Sequence, residues 1–392
     1  MRFAASFPRA AFSTPSSILT TTGETSRTKS DSSPHEPSPT QKASVGRLTF
    51  LLRPPKREDR LPHVRRLPAL FASVFMLSVP AFSQTSNSQP SPDTVFKISL
   101  PAHPGQLQWH APGFKVIETS AKPKGKEIGI RGQDGSGRVE FLGFLFLVTD
   151  QGPLSSAKCL EQALKEEKNN PTLKVLATPL TEGSGNLPVA LATYTNQNRG
   201  GKKWYMVRGF VATGDMCGDL EFYSESPISA EDPDLRKIFE SYRLDPNYVP
   251  QFKDVFFYAQ ILYRHQMYKE AAPIFEQALS VLPEDNTQQT WRRVTTDQAG
   301  MSYGMSGDIP KARALFEAAI AKDPSYPLYY YNLACADAEE KKLADARVHL
   351  QDAFARKANM IPGEKLPDPT KDDSFLPYRH DKGFWAFLES LQ

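Results

Sequence analysis

The sequence predicts an α+β domain followed by an all-α array of about three helical repeats. Two observations lead to this prediction. Between residues 95 and 246, strand-like runs alternate with amphipathic helices, whereas between residues 250 and 358 small and aromatic residues recur at a fixed spacing. A chain of 392 residues is long enough to give each of these regions a core of its own.

The first 63 residues are rich in serine, threonine and proline and show no sustained apolar periodicity. Such a segment buries too little surface to offset the entropy lost on ordering, which predicts a disordered leader. Two explanations for this leader stay open. Either the assigned start is too early and translation begins near Val64, or the chain carries a two-part leader, in which an organelle transit peptide precedes a lumenal signal.

Residues 64–83 have the layout of a secretory signal peptide. A basic flank precedes the apolar run LPALFASVFMLSVPAFS, and Ala81-Phe82-Ser83 is a small-x-small cleavage pattern, with the cut expected before Gln84. The apolar run is short for a membrane span, which needs about 20 residues. We therefore predict an exported protein, in the periplasm, the envelope or the medium. An organelle lumen is the alternative, and membrane contact is expected only if the segment stays uncleaved.

The region 95–246, which follows a polar linker at 84–94, has the element order of a layered α+β fold. The turn sequence Asn198-Arg199-Gly200-Gly201 predicts a hairpin between two of its strands. In chain order the sequence predicts a strand at 139–148, a helix at 155–168, strands at 173–179, 188–196, 204–213 and 219–224, and a closing helix at 232–244.

This element order, the size and the terminal helix sequence LRKIFESYR resemble the Mog1/PsbP-type fold, an antiparallel-sheet α/β sandwich. The resemblance implies a non-catalytic exported or lumenal protein that serves binding or assembly. Cys159 and Cys217 fall in this domain, where they either pair as a disulfide after export or are small buried apolar residues. Cys335 lies in a predicted repeat helix, and we interpret it as a packing residue.

One pattern of small residues, an aromatic and a proline recurs in residues 250–358. The interval between Ala312 and Ala346 is 34 residues, whereas the interval between Ala271 and Ala312 is 41, so seven residues are inserted at 284–293. The recurring positions are Ala259, Ala271, Phe275, Ala278 and Pro283 in the first copy, Gly300, Ala312, Phe316, Ala319 and Pro324 in the second, and Ala334, Ala346, Leu350, Ala353 and Ala358 in the third.

This register resembles the tetratricopeptide repeat (TPR), in which each unit of 34 residues folds as two antiparallel helices. We interpret the insertion at 284–293 as a longer first helix in the second unit. The third copy lacks the aromatic and the proline, as terminal units commonly do. Residues 359–392 are predicted to form a capping tail, in which Phe384, Trp385 and Leu388 cover the last apolar face of the array.

The TPR resemblance also implies a binding groove lined by the first helix of each unit. The family's clamp for carboxylates needs paired Lys, Asn and Arg positions, and here Lys253 is followed by Phe257 where an asparagine is required. We therefore predict a groove for an apolar segment of a protein partner, with a scaffold for the preceding domain as the alternative. The implied groove residues are Lys253, Phe256, Gln260, Tyr263, Asp297, Met301, Leu328, Tyr331 and Glu339.

No sequence pattern indicates catalysis, a metal or a cofactor. The histidines do not form an HExxH motif, the glycine-rich stretch at 132–138 lacks P-loop spacing, and no GxSxG element is present. The net charge of +3 is too small to indicate a nucleic-acid partner. We predict a non-enzymatic exported adaptor without cofactors. The alternative is an enzyme or a small-ligand-binding protein with its site in region 95–246 and the repeats as a docking arm.

Overall fold

The structure, a computed structural model, describes residues 94–148, 154–167, 174–177, 180–181, 187–197 and 201–391. The predicted leader, the signal peptide and the linker up to residue 93 lie outside the described residues, as does the turn at 198–200. Among the residues that the structure describes, no helix is both long enough and apolar enough to cross a bilayer.

The first domain is built from antiparallel strands and two helices. The helices are α1 (Ser156–Glu167) and α2 (Pro233–Ser241). The strands are β1 (Val95–Ser99), β2 (Gln106–His110), β3 (Lys115–Lys122), β4 (Glu127–Gln133), β5 (Val139–Leu147), β6 (Lys174–Ala177), β7 (Leu180–Thr181), β8 (Val189–Gln197), β9 (Lys203–Thr213), β10 (Met216–Ser224) and β11 (Arg243–Asp245).

These strands form a large sheet with the order β3-β4-β5-β10-β9-β8-β6, to which β7 adds beside β8, and a small sheet with the order β1-β2-β11. Helix α1 packs on β8 and β9 at one face of the large sheet. A disulfide joins Cys159 of this helix to Cys217 of β10. The small sheet and α2 cover the opposite face, so the domain is an α+β layer structure as the sequence predicts.

The two sheets approach closely where glycine faces a large side chain. A Cβ atom on Gly143 of β5 would lie 2.4 Å from the indole ring of Trp109 on β2. Trp109 is buried and its ring contacts those of Phe96 and Phe141. The absence of a side chain at Gly143 therefore lets this aromatic cluster fill the space between the sheets.

The closing helix is shorter than the prediction of 232–244. Helix α2 ends at Ser241, whose hydroxyl donates to the carbonyl of Ile238 and accepts from the backbone N–H of His110. Residues Arg243–Asp245 instead form β11, which pairs with β2. The extended backbone buries both Tyr242 and Leu244, which a continued helix would place on different sides. The other predicted elements of this domain are confirmed, with bounds that differ by no more than three residues.

Six helices of the described C-terminal region form the predicted repeat pairs, and a seventh follows them. They are α3 (Phe252–Arg264), α4 (Tyr268–Val281), α5 (Gln289–Met305), α6 (Ile309–Lys322), α7 (Pro327–Glu339), α8 (Leu343–Ala355) and α9 (Lys382–Glu389). Helix α5 has 17 residues, against 13 in α3 and α7, as the position of the insertion predicts. The recurring spacing places Ala271, Phe275 and Ala346 fully inside the array.

The repeat array and the sheet domain share one hydrophobic core. Helix α3 packs along β3, the edge strand of the large sheet. The hydroxyl of Tyr258 donates to the carbonyls of Lys122 and Glu127. Two further side chains add to this interface: Nε2 of the His265 ring contacts the carbonyl of Thr119, and Nε2 of Gln277 donates to the carbonyl of Pro101. The sheet domain therefore covers the first end of the array, while the array covers the sheet edge.

Candidate functional site

The first helices of the three repeats, α3, α5 and α7, present the predicted groove residues on one face, here called the first-helix face. It is defined by Lys253, Phe256, Gln260, Tyr263, Asp297, Met301, Leu328, Tyr331 and Glu339. In the structure, these residues fall into three sections of the face. One is covered by the chain's own C-terminal tail, one is closed by packing between helices, and one, at the C-terminal ends of the helices, is open.

The tail, residues 356–381, covers the third repeat of the first-helix face. The hydroxyl of Tyr331 donates to Oδ2 of Asp372 over 3.0 Å, and the Tyr331 ring lies 6.2 Å from that of Phe375. Leu328 belongs to a core cluster that also contacts Ile361 and Leu366 of the tail. Leu328 and Tyr331 are consequently buried by this chain itself.

Hydrogen bonds hold the tail along the length of α7. Near the start of this helix, Arg356 Nε donates to the carbonyl of Pro324 over 2.9 Å, and the Tyr326 hydroxyl donates to Glu364 over 2.8 Å. Near its end, the Tyr378 hydroxyl donates to the carbonyl of Ala338 over 2.5 Å. The tail thus follows the path on which a groove ligand was expected.

Helix α9 closes the far end of the array. Phe384 and Leu388 are buried in a cluster with Leu350 and Ala353 of α8, and Trp385 is half-buried against it. These are the residues for which the sequence predicts a capping role. The sequence did not separate this cap from the preceding residues 360–378, which lie on the first-helix face instead.

At the first repeat, packing between α3 and α5 closes much of the face. The Phe256 ring lies 5.3 Å from the ring of Trp291 and 5.8 Å from that of Phe275. Gln260 is buried and its Nε2 donates to Oε1 of Gln298. Phe256 and Gln260 therefore support the face from inside, whereas Lys253 is exposed at its edge.

The open section lies at the C-terminal ends of the first helices. Tyr263, Met301 and Met305 are half-buried, and the Tyr263 hydroxyl lies 3.9 Å from the sulfur of Met301. Glu339 is half-buried on α7, where burial, followed by the charge of Asp372, raises the pKa of its carboxyl group. The open section thus combines a flexible apolar surface with carboxylate groups.

A cavity of about 50 Å³ opens beside Met301, between α5, α6, α7 and the tail. Since about 10–15 Å³ of such space is enough for one water, several waters or the end of a side chain fit in it. Its walls are largely apolar, and carboxylate and amide groups interrupt them. The apolar wall includes Met301, Met305, Ile309, Phe316 and Leu328, and the polar groups are Asp297, Asn332 and Asp372.

Asp297 is the most perturbed carboxyl group of this cavity. It is 2% exposed, and it accepts a hydrogen bond from Nδ2 of Asn332. Burial raises the pKa of Asp297 to about 8, and the negative charge of Glu364 in the tail adds to this increase, while the bond from Asn332 opposes it. Half of the Asp297 carboxyl groups are therefore protonated near pH 8 in the folded chain.

The sheet domain contains a second group of buried charges, on the face that carries α1. Arg208 donates from Nε and from its terminal nitrogen to the two carboxylate oxygens of Asp219, over 2.9 and 2.7 Å. The hydroxyl of Tyr194 donates to Glu221 over 2.5 Å. Both carboxylates are thus already paired with donors, as buried charges in a stable sheet are. Among the described residues, no group of three or more His, Cys, Asp or Glu residues could hold a metal ion.

Sequence reasoning missed several residues of the open section and its cavity, among them Met305, Asn332, Pro367 and Asp372. Met305 could have been found, because it lies four residues after Met301 on the same side of α5. Asn332 directly follows Tyr331 in the sequence, but it does not occupy one of the positions at which the TPR resemblance implies a groove residue. Pro367 and Asp372 carry no signal in the sequence, because their role depends on the path of the tail.

Among known proteins, solved structures match this chain, but no protein family does. No protein-family model matches the sequence. No curated protein matches it significantly. Solved TPR domains match the helical part of the chain: the TPR domain of Sgt2 from Aspergillus fumigatus is 17% identical with a TM-score of 0.26 and covers 36% of this chain and 78% of its own.

Two further solved structures match with similar identity, TM-score and coverage. PcrH from Pseudomonas aeruginosa is 16% identical with a TM-score of 0.26, covering 36% of this chain and 90% of its own. The first TPR domain of human RPAP3 is 14% identical with a TM-score of 0.26, covering 36% of this chain and 96% of its own. Likeness at this level carries no argument, so the TPR-like description rests on the helix pairs and the 34-residue register of this chain.

Proposed function

We propose that this protein is an adaptor that binds a peptide segment of another protein in the open section of the first-helix face. The observation that supports this most directly is the cavity beside Met301, which is bordered by half-buried apolar side chains and by the tail. A concave apolar site with a few polar groups is the usual form of a binding pocket.

The chemistry of the open section favours an apolar segment. Met301 and Met305 are unbranched and polarisable, so their side chains adapt to ligands of different shape. Tyr263 adds an aromatic ring whose hydroxyl stays close to the Met301 sulfur. Because the tail already covers Leu328 and Tyr331, the segment binds beside the tail and contacts Pro367 at its edge.

The shared core supports a scaffolding contribution as well. Tyr258 joins α3 to the backbone of β3 and β4, and the core cluster runs from Phe96 of β1 to Phe275 of α4 without interruption. The array is therefore presented in a fixed orientation on the sheet domain. We propose that this domain has the Mog1/PsbP-type fold, which its element order supports, and that its role is to hold the array without catalysis.

We also propose that the protein acts after export. The layout of residues 64–83 supports this location, since a basic flank, a short apolar run and a small-x-small pattern are typical of a cleaved signal peptide. The disulfide between Cys159 and Cys217 adds support, because such bonds persist mainly in oxidising compartments. An N-terminal peptide of the native protein that begins at Gln84 would agree with this proposal, and one from residues 1–63 would contradict it.

Site-specific photo-crosslinking in the full chain tests the binding function. Benzoylphenylalanine replaces Met305, which borders the open section, and in a matched variant it replaces Val348, which is 54% exposed on α8. We expect discrete adducts with proteins of the exported fraction from position 305 and not from position 348. A further exchange, Tyr263→Ala, should reduce the yield at position 305.

The outcome separates groove binding from other contacts. Adducts of equal yield at both positions would place the contact outside the open section, and their absence at position 305 would contradict the proposal. The comparison uses point variants because α3 shares its core with the sheet domain. A chain shortened at residue 246 would expose that core and capture proteins through it.

A further inference from the structure

The cavity beside Met301 contains a buried carboxylate without a cationic partner. Asp297 is 2% exposed, and its Oδ1 accepts from Nδ2 of Asn332. Within the described part of the chain, its Oδ2 accepts no hydrogen bond and neither oxygen takes part in an ion pair. Buried carboxylates are normally paired, so Asp297 borders the cavity with an acceptor that remains available.

Two arginines of the neighbouring helices are bound to other carboxylates. Arg293 of α5 donates from two nitrogens to the carboxylate of Asp323, over 2.6 and 3.1 Å. Arg313 of α6 donates to Asp337 and Glu340, over 2.6 and 2.8 Å. Both guanidinium groups are therefore held away from Asp297.

Within the described part of the chain, no cation of the tail forms an ion pair with Asp297. Lys371 forms its ion pair with Asp368, at 2.7 Å. The tail charge that raises the pKa of Asp297 is the carboxylate of Glu364, which is negative. A ligand that carries positive charge would thus meet a complementary field in the cavity.

Two further polar side chains border the same cavity. The Asn332 side chain donates through Nδ2 and keeps its Oδ1 as an acceptor. The carboxylate of Asp372 accepts from the Tyr331 hydroxyl at Oδ2 and from the Ser374 backbone at Oδ1, both over 3.0 Å, and the Cys335 sulfur lies 4.0 Å from Oδ2. Opposite these polar groups, Met301, Met305 and Ile309 form an apolar wall.

We propose that this cavity is a subsite for a primary ammonium group on an apolar stem, such as a lysine side chain of the bound peptide, with Asp297 as its counter-ion. This inference rests on the proposed peptide-binding function and specifies the chemistry of one side chain of the partner. An ammonium group has donors and no acceptor, which matches the acceptors of Asp297 and Asn332, and the carboxylate of Asp372 adds negative charge at the same cavity. The stem packs against Met301 and Met305.

Peptide pools with one defined residue test the subsite. Three pools of nonapeptides carry randomised apolar flanks and a central lysine, norleucine or glutamate, and their binding to the full chain is measured by fluorescence polarisation. Norleucine keeps the stem of lysine without its charge. We expect the lysine pool to bind at least tenfold more tightly than the norleucine pool, and the glutamate pool to bind most weakly.

Two variants locate the preference. In Asp297→Asn, the lysine and norleucine pools should bind equally, whereas Asp345→Asn, which changes an exposed carboxylate on α8, should keep the tenfold difference. Equal binding of these two pools to the unaltered chain would overturn the subsite and leave peptide binding intact. A lysine preference that persists in Asp297→Asn would also overturn it. If no pool binds, the peptide-binding function itself is overturned.

A titration with a small probe distinguishes failure of the ammonium subsite from failure of peptide binding. The ¹³C signal of the Asp297 carboxyl group is followed against pH in the unaltered chain, with n-butylammonium or n-butanol added. We expect the ammonium ion to lower the pH at which Asp297 titrates and the alcohol to leave it unchanged. The same titration curve with both probes would overturn the subsite, whatever the peptide pools show.

Discussion

The hydroxyl of Tyr331 donates to the carboxylate of Asp372 over 3.0 Å, and both residues are buried. This hydrogen bond joins α7, the first helix of the third repeat, to the tail that crosses it. The two residues are 41 positions apart in the sequence. This bond, together with the contact between the Tyr331 and Phe375 rings, places the chain's own residues on a face that its repeats would otherwise offer to a partner. The extent of the free face therefore depends on how firmly the tail is held.

Replacement of Tyr331 by Phe should loosen the tail. The exchange removes one donor to the buried carboxylate of Asp372, which costs about 1–3 kcal/mol of unfolding free energy. Chemical denaturation measures this loss, and hydrogen exchange should show faster amide exchange in residues 360–378. Tyr303→Phe is the matched control, because it removes a hydroxyl that bonds Glu276 rather than the tail. Faster exchange of the tail in both variants would contradict the specific role of Tyr331.

Substitutions of two glycines in α5 should have opposite effects. A Cβ atom on Gly300 would lie 2.3 Å from the Phe316 ring, whereas one on Gly304 meets its nearest atom at 4.0 Å. Both positions gain up to about 1 kcal/mol from the higher helix propensity of alanine. At Gly300, overpacking against a buried ring outweighs this gain and costs about 1–3 kcal/mol.

We therefore expect Gly300→Ala to lower and Gly304→Ala to raise the unfolding free energy, as measured by guanidinium denaturation. If both variants gain stability, α5 and α6 can separate without cost and the repeat packing is looser than the structure shows. If both lose stability, Gly304 has a steric role that the distance to Ala312 does not reveal.

The periodic positions of the repeats could be predicted from sequence because their environment repeats. Ala271 and Ala346 occupy the same place in the first and third helix pairs, where only a small side chain fits, so spacing alone identifies them. The strands near residues 139–147 and 203–224 were also found, since long alternating runs leave few alternatives. Local pattern and tertiary packing agree at these positions.

The route of the tail could not be predicted in this way. Nothing local distinguishes Asp372 from other acidic residues, and its burial depends on Tyr331, which the fold brings near. Strands β1 and β2 were missed as separate elements for a similar reason, because they are short and gain their stability from Trp109 and Leu107 against the large sheet. The end of α2 was misplaced because pairing of Arg243–Asp245 with β2 overrides the helical preference of the segment.

Asp297 should make stability decrease as pH rises. Its pKa in the folded chain is about 8, against about 3.9 for an unfolded aspartate, so between these values the folded state binds more protons than the unfolded state. The stability that protonation provides is complete below about pH 4 and is lost progressively up to about pH 8. The slope from this one group is at most about 1.4 kcal/mol per pH unit.

The variant Asp297→Asn removes this dependence with little change of shape. We expect its unfolding free energy, relative to that of the unaltered chain, to increase from pH 5 to pH 8 and to level off above pH 8. Asp345→Asn, on the exposed side of α8, should show a constant difference over the same range. A constant difference for Asp297→Asn as well would mean that Asp297 titrates as an ordinary aspartate.

Reduction of the disulfide should destabilise the sheet domain. Cys159 and Cys217 lie 58 positions apart in the sequence, and their disulfide joins α1 to β10. Apart from this bond, α1 packs mainly on β8 and β9. In the chain-entropy account, a loop of this length is worth roughly 4 kcal/mol, and removal of native disulfides commonly costs about 2–5 kcal/mol. We expect guanidinium denaturation to shift to lower concentration by a corresponding amount when dithiothreitol is present.

The double variant Cys159→Ser/Cys217→Ser provides the matched control. It should be as unstable without reductant as the unaltered chain is with it, and dithiothreitol should not change it further, because Cys335 is a free buried thiol. If the unaltered chain keeps its full stability in dithiothreitol, the bond contributes nothing to folding. The oxidising compartment proposed above would then lose one of its two supports, and the signal-like segment would remain the other.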